Sequence, residues 1–294
     1  MRVKVDNELS KEVKVGTGVR QGDSLSPFLF NLIMDKIIEA VRDTRIGYRM
    51  GYNKISIICY ADDAVLVAED EDDLQRLLHR FNLTAQKFNM KISAEKTKSL
   101  TISKAPLRCK LALENKVIEQ VVTFRYLGVE ITSHSNLYNE VLNQTTKAAA
   151  VSGCLKDVIW KNKHMSVDCK VRIYKACVRP IMTYAVETRS DTTKTKAALR
   201  TTEMRTLRSI TGHTLLDRKR NTDIRALCQV PDIVRWSRQR RRAWNEHVER
   251  MDDDRLAKII SSNNPRGLRL PGRPPKRWRD SWTSTSQESP RTGH

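Results

Sequence analysis

The stretch ICYADDAVLV at residues 58–67 sets two adjacent carboxylates, Asp62 and Asp63, between two apolar runs. Runs of that kind read as buried strands, whereas neighbouring like charges repel and are costly to bury. A tight β-hairpin with the acids at its exposed tip satisfies both demands. Two carboxylates projected from a rigid tip are oxygen ligands suited to Mg²⁺, with Mn²⁺ as the alternative. An acidic turn with no metal role fits the same pattern, and the doublet alone does not separate the two readings.

The surroundings of this hairpin divide the chain into a strand-containing half and a helical half. MRVKV and EVKVG flank DNELSK, a hairpin pattern with a turn at Asp6 and Asn7. Gly16, Gly18 and Gly22 make a loop before a helix whose expected N-cap is Ser26, with Pro27 at the first helical position. Phe30, Ile33, Met34, Ile37, Ile38 and Val41 then recur at helical spacing. After the Asp pair, the acidic run from Glu69 to Asp73 opens a second helix with a stripe of Leu74, Leu77, Leu78, Phe81, Ala85 and Phe88. MKISAEKTKSLTIS returns to strand, KLALENKVIEQ suggests a hairpin around Asn115 and Lys116, and FRYLGVEI ends this half. Beyond residue 136 the pattern is helical. Tyr174, Cys177, Val178, Ile181, Met182 and Ala185 share a face that Pro180 is expected to kink, and Gly212 stops a later basic helix.

Charge follows the same division. Of 54 Lys and Arg and 34 Asp and Glu, residues 1–134 hold 21 and 18, a net of +3, leaving 33 and 16, a net of +17, for residues 135–294. A surplus confined to one half points to a polyanionic partner there. Arg238, Arg240, Arg241 and Arg242 on a helix, and Arg273, Lys276 and Arg277 in a Pro-, Gly- and Ser-rich tail, are the candidate nucleic-acid contacts. Trp236, Trp244, Trp278 and Trp282 lie among these arginines and suit base stacking, although the first two are eight apart and share a face that can equally be core. PGRPPKR reads either as a minor-groove hook or as a disordered basic spacer, and the basic clusters could also act as nuclear-import signals. The six cysteines form no C-x-x-C pair and read as small buried hydrophobes in a reducing compartment. With no signal-type run at the N-terminus and no apolar stretch that could span a bilayer, the expected location is intracellular, nuclear or cytoplasmic, with no membrane partner.

YADD at residues 60–63 resembles the metal-binding motif of reverse transcriptases, and it has companions in order. GVRQGDSLSPFLFNLIMD (18–35) resembles the preceding palm motif in the enzymes of non-LTR (LINE-type) retrotransposons and group II introns. KFNMKISAEKTK (87–98) is similar to the motif after the hairpin, and FRYLGVEI (124–131) to the one that closes the palm. RIYKACVRPIMTYAVET, RRRAWNEHVERM and GRPPKRWRD resemble carboxyl-terminal regions of insect-type elements more loosely. The resemblance implies an α+β fold: a partial palm, an antiparallel sheet with packed helices, over 1–134. A helical thumb or connection over 135–215, a basic helical region over 216–260 and a disordered basic tail over 261–294 complete the expected plan.

By the same resemblance the activity is RNA-directed DNA synthesis by two-metal nucleotidyl transfer. Asp62 is then the metal ligand and Asp63 the assisting acid. Tyr60 and Ala61 lie near the primer terminus, and Gln21 and Gly22 against template and nucleotide, where close backbone approach asks for glycine. Lys96, with Lys98 second, is the candidate cation for the leaving pyrophosphate or else a solvated charge on a strand edge. Tyr126, Leu127 and Gly128 form the primer grip. The implied partners are RNA template, DNA primer, dNTP, element RNA and target DNA. In this family a further metal-binding Asp and the fingers precede GVRQGD, but only 17 residues precede Gly18. Asp6 sits in a turn that its side chain itself stabilises, so it does not substitute. The chain is therefore expected to be inactive alone unless an upstream polymerase segment acts in trans. A non-catalytic nucleic-acid-binding protein derived from the element, and a pseudogene product, remain the alternatives.

Overall fold

The computed structural model describes residues 2, 4–6, 8–12, 18–103, 105–134 and 137–263. Arg273, Lys276, Arg277, Trp278, Trp282 and the PGRPPKR stretch lie outside the described residues, as does Gly16. Packing divides the chain into two units, one reaching residue 121 without 102–104, and one from residue 122 onward that takes in 102–104.

The first unit is mixed helix and strand. A short hairpin pairs β1 (Lys4–Val5) with β2 (Glu8–Leu9). Val5 stands opposite Glu8, so β1 turns back where the sequence suggests, and all of EVKVG after Glu12 lies outside the described residues, as does Asn7. Helix α1 (Ser26–Arg42) follows, with Pro27 in its first turn. Ser26 is not its N-cap: Leu25 holds that place without a side-chain bond, and the Ser26 hydroxyl donates back to the Arg20 carbonyl at 2.6 Å. The hydroxyl thus ties the preceding loop to the helix. Next come β3 (Tyr48–Met50) paired with β4 (Asn53–Ile55), and β5 (Ile57–Tyr60) paired with β6 (Asp63–Leu66). Helix α2 (Glu71–Lys87) starts at Asp70, whose carboxylate accepts the Asp73 N–H at 2.8 Å, and carries acids throughout its first turn. Met34, Ile37, Val41, Leu77, Leu78 and Ala85 form the buried seam between these helices and their strands.

Only β7 (Lys98–Ser99) of the expected third strand segment is extended, and it pairs in parallel with β10 (Glu119–Gln120). Between them β8 (Ala112–Leu113) pairs with β9 (Lys116–Val117). Their two-residue turn is Glu114 and Asn115, both left-handed, so the turn sits one residue earlier than Asn115 and Lys116. The expected antiparallel palm sheet is not seen as one sheet. Among the described residues the strands pair only two by two, while α1 packs against β5 and α2 against β6 and β8.

The second unit begins with the hairpin β11 (Thr123–Tyr126) and β12 (Val129–Thr132), which the sequence reading grouped with the strand-rich half. The regular elements among the described residues from Leu137 on are helical, chiefly α3 (Leu137–Cys154), α4 (Val167–Ile173), α5 (Arg179–Met182), α6 (Thr193–Thr211), α7 (Asn221–Leu227), α8 (Ile233–Glu249) and α9 (Leu256–Ser262). Pro180 does not break its helix. A π-helical turn, Tyr174–Val178, joins α4 to α5, and the Arg179 N–H reaches the Tyr174 carbonyl. That wider turn makes room for a ring that would collide with an ordinary helical carbonyl. Tyr174, Val178 and Met182 are buried as their spacing suggests, while Cys177 points to solvent. Cys154 and Cys169 are also exposed, so only Cys109 and Cys228 are the fully buried thiols expected. Helix α6 opens with a capping box between Thr192 and Thr195 and ends at Gly212, φ +70°. The core gathers Val141, Ala148, Trp160, Tyr174, Val178, Met182, Leu199, Leu207, Ile210, Ile224, Ile233 and Val234 from the helical segments between α3 and α8.

Candidate functional site

The β5–β6 register sets Tyr60 opposite Asp63, leaving Ala61 and Asp62 as a two-residue turn. Ala61 takes φ +51°, a left-handed conformation that glycine would adopt without cost. Exposure rises toward this tip: Ile57 is buried, Ile58 and Cys59 are half-buried, and residues 60–64 are exposed, Tyr60 by 64%. The base is held by Ile57, Cys59 and Leu66, which pack among Val41, Ile38, Leu77 and Phe81 of α1 and α2. Burial pushes the Cys59 thiol up, and Arg42 opposes it. The two carboxylates are thus presented to solvent from a rigid, apolar foot. Their oxygens match what Mg²⁺ requires, yet among the described residues no group of three or more His, Cys, Asp or Glu could hold a metal. The donor type fits and the donor number falls short.

Gln21 and Gly22 lie in the exposed turn before α1. Gly22 has φ +87° with open space where a Cβ would stand, so its backbone angle, rather than crowding within the chain, accounts for glycine. Lys96 is exposed in the turn after Ser93, whose hydroxyl accepts its N–H at 3.4 Å; it is not on a strand edge. Lys98, on β7, is bound to Glu119 at 2.6 Å. No hydrogen bond or ion pair among the described residues joins Gln21, Gly22 or Lys96 to the Asp tip.

Tyr126, Leu127 and Gly128 are better fixed. Tyr126 pairs with Val129, and Leu127 and Gly128 both have positive φ, the backbone of a type I′ turn. The Tyr184 hydroxyl donates to the Leu127 carbonyl at 2.6 Å, and the Gln144 amide to the Gly128 carbonyl at 3.3 Å. Glu140 accepts the Glu130 N–H at 3.0 Å, while Asn143 donates to the Glu130 carboxylate at 2.8 Å. The sequence reading missed Glu140, Gln144 and Tyr184, which lack a motif of their own.

The arginine cluster on α8 splits. Arg241 is 1% exposed; its guanidinium donates to both Asp191 oxygens at 2.6 and 2.7 Å and to the Val186 carbonyl at 2.8 Å. It is a core ion pair and not a phosphate contact, contrary to the sequence expectation. Arg240 is exposed but paired with Glu187 at 3.1 Å, Arg238 is half-buried, and Arg242 is exposed. Trp236 packs on the core with the Arg179 guanidinium 4.6 Å above its ring, so it is not an open stacking platform. A second buried network joins Glu203, 1% exposed, to Arg225 at 2.8 Å, with Arg225 bound in turn to Asp232 at 3.1 Å. Burial raises the Glu203 carboxyl, and the Arg225 bonds work against that shift.

Residues 1–131 match the family described as reverse transcriptase (RNA-dependent DNA polymerase). The chain is 28% identical over 252 residues to a transposon-derived protein of Caenorhabditis elegans, covering 79% of this chain and 86% of that one. It is 26% identical over 243 residues to the RNA-directed DNA polymerase from mobile element jockey of Drosophila melanogaster, covering 79% of this chain. To the Pol polyprotein from the R2 element of Nasonia vitripennis it is 31% identical over 144 residues, 45% of this chain. The matched regions span 25% of the jockey protein and 14% of the R2 polyprotein. Residues 1–131, with YADD at the tip of the β5–β6 hairpin, are thus similar to the reverse transcriptases of LINE-type, non-LTR retrotransposons.

Proposed function

We propose that this chain supplies the Asp62–Asp63 portion of an RNA-directed DNA polymerase site and that a further carboxylate, from upstream sequence or supplied in trans, completes it. The observation that carries this reading is the pair of exposed carboxylates on a hairpin braced by two helices, within the matched family region. Mg²⁺, when bound, neutralises charge on the reacting phosphates. Asp62 would hold it in the completed site, Asp63 would add negative field beside it, and the apolar foot keeps both carboxylates at a fixed height. The Tyr126–Gly128 turn orients the primer strand, and Lys96 and the Gln21–Gly22 turn meet the nucleotide and template. RNA template, DNA primer and dNTP are the corresponding partners.

The test is primer extension on an RNA template with Mg²⁺ and dNTPs. The chain is assayed alone and after addition of a polypeptide carrying the fingers and first acidic motif of a related polymerase. Extension only in the mixture, lost in Asp62→Asn/Asp63→Asn, supports the reading. Extension by the chain alone overturns the need for an outside ligand, and extension that survives the double substitution overturns the role of the pair.

The net charge of +17 over residues 135–294 favours a second reading, a nucleic-acid-binding protein with no catalytic role. In that case binding of the folded chain to RNA is unaffected by the same double substitution, and no added polypeptide restores synthesis.

A further inference from the structure

Leu215 and Leu216, consecutive in the loop between α6 and α7, are 79% and 90% exposed. They are the two most exposed leucines among the described residues, and being adjacent they form one apolar tip rather than scattered single side chains. Nor does the loop owe its shape to chance fraying. The Asp217 carboxylate accepts the Thr214 N–H at 2.6 Å and the Thr214 hydroxyl at 3.1 Å, and the Arg218 N–H closes the turn on the Leu215 carbonyl at 3.2 Å. At the loop's exit, the Arg208 guanidinium donates to the Lys219 carbonyl at 3.0 Å and to Asn221 at 2.9 Å. Those bonds fix the turn before any partner arrives, so little ordering entropy is lost on binding.

The chemistry around the leucines selects the partner. Arg218, Lys219 and Arg220 follow directly, all exposed, and the one acid in the loop, Asp217, is engaged by Thr214. Exposed cations beside an apolar tip match a surface that offers phosphates next to the faces of bases. Leucine is among the side chains that wedge against base steps when basic neighbours hold the backbone. We propose that the Thr214–Arg220 loop is a nucleic-acid wedge: Arg218, Lys219 and Arg220 contact the phosphates of a duplex, and Leu215 and Leu216 pack against its bases. This contact needs neither Asp62 nor Asp63 and goes beyond the polymerase reading.

The experiment measures binding of the full chain to a fluorescent RNA–DNA duplex in EDTA over a range of salt concentrations. Leu215→Ser/Leu216→Ser is expected to weaken binding about tenfold while leaving the salt dependence unchanged, because apolar and not ionic contacts are removed. Arg218→Gln/Lys219→Gln/Arg220→Gln is expected to flatten the salt dependence by about two to three units of slope. Both leucines are exposed, so the thermal melt of the serine variant should match the parent and exclude a folding defect. Unchanged duplex affinity in the serine variant overturns the wedge and leaves the leucines to an acidic protein surface. Because metal is withheld, failure here is distinguishable from failure of primer extension.

Discussion

The Tyr184 hydroxyl donates to the Leu127 carbonyl at 2.6 Å, a bond between residues 57 apart in sequence. It ties the turn of the β11–β12 hairpin to the segment after α5, inside the helical unit. Ala185, next in sequence, is left-handed at φ +53° and starts a 3₁₀ turn, Val186–Thr188, whose first carbonyl receives Arg241. One short segment therefore serves two clients: the hairpin turn through Tyr184 and α8 through Val186 and Asp191.

Removing the hydroxyl in Tyr184→Phe should cost about 0.5 kcal/mol, at the low end of a hydrogen bond's range because the residue is 47% exposed. Gly128→Ala should cost more, about 2 kcal/mol, since φ is +81° and the new Cβ would stand 3.2 Å from Cε1 of Tyr184. Urea unfolding of both variants gives the order directly; equal midpoints for Gly128→Ala and the parent would contradict this turn geometry.

Within the α8 cluster, neighbouring arginines should behave oppositely. Arg241→Ala strands Asp191 in the core and should destabilise by about 3–5 kcal/mol. Arg241→Lys should rescue little, because an ammonium cannot reproduce the bidentate bond. Arg242→Ala, at an exposed position, should leave stability within about 0.5 kcal/mol and act only on polyanion binding. Thermal melts and RNA affinity measured side by side separate the two roles.

Acid should weaken the second unit through Asp232. Burial opposes its ionisation, but Arg200, Arg225 and the first amides of α8 outweigh that and hold its carboxyl below the ordinary 3.8. A carboxyl depressed in the folded state contributes stability above its unfolded pKa, and that contribution is lost as pH falls through the folded value. Glu203, raised chiefly by burial, has the opposite sign: its stability is lost as pH rises through its folded pKa. The stability difference between the parent and Asp232→Asn should therefore shrink on acidification below about pH 4. A difference that stays constant from pH 6 to pH 3 would show that Asp232 carries no such linkage.

At the hairpin tip, Ala61→Gly should stabilise the first unit by up to about 1 kcal/mol, because relief of the left-handed strain exceeds the added unfolded-state freedom. Differential calorimetry beside Asp62→Asn/Asp63→Asn, whose side chains are exposed and support no packing, should show a shift for the first variant and none for the second.

Much of this protein was legible along the chain. Apolar runs on both sides of Asp62 and Asp63 required a hairpin with exposed acids, and the register Tyr60 opposite Asp63 is that hairpin. The stripes of α1 and α2, the acidic start of α2 and the stop at Gly212 likewise follow from local periodicity and capping. These features depend on residues within a turn or two of one another. Arg241 shows where local reading stops. Its place beside Arg240 and Arg242 suggested a charged surface, yet it lies seven residues from both Val234 and Val248, on the buried face of α8. That spacing could have flagged it; its partner Asp191, 50 residues away, could not be read from spacing. Nor could the bond from Tyr184 to Leu127, or the pairing of the described strands only two by two. Sequence determined the main helices and the Asp62–Asp63 hairpin, because those choices rest on local backbone and hydrophobic pattern. Tertiary structure alone decided which charges are spent inside the fold and which remain for a partner, because burial depends on residues that the chain brings together only when it packs.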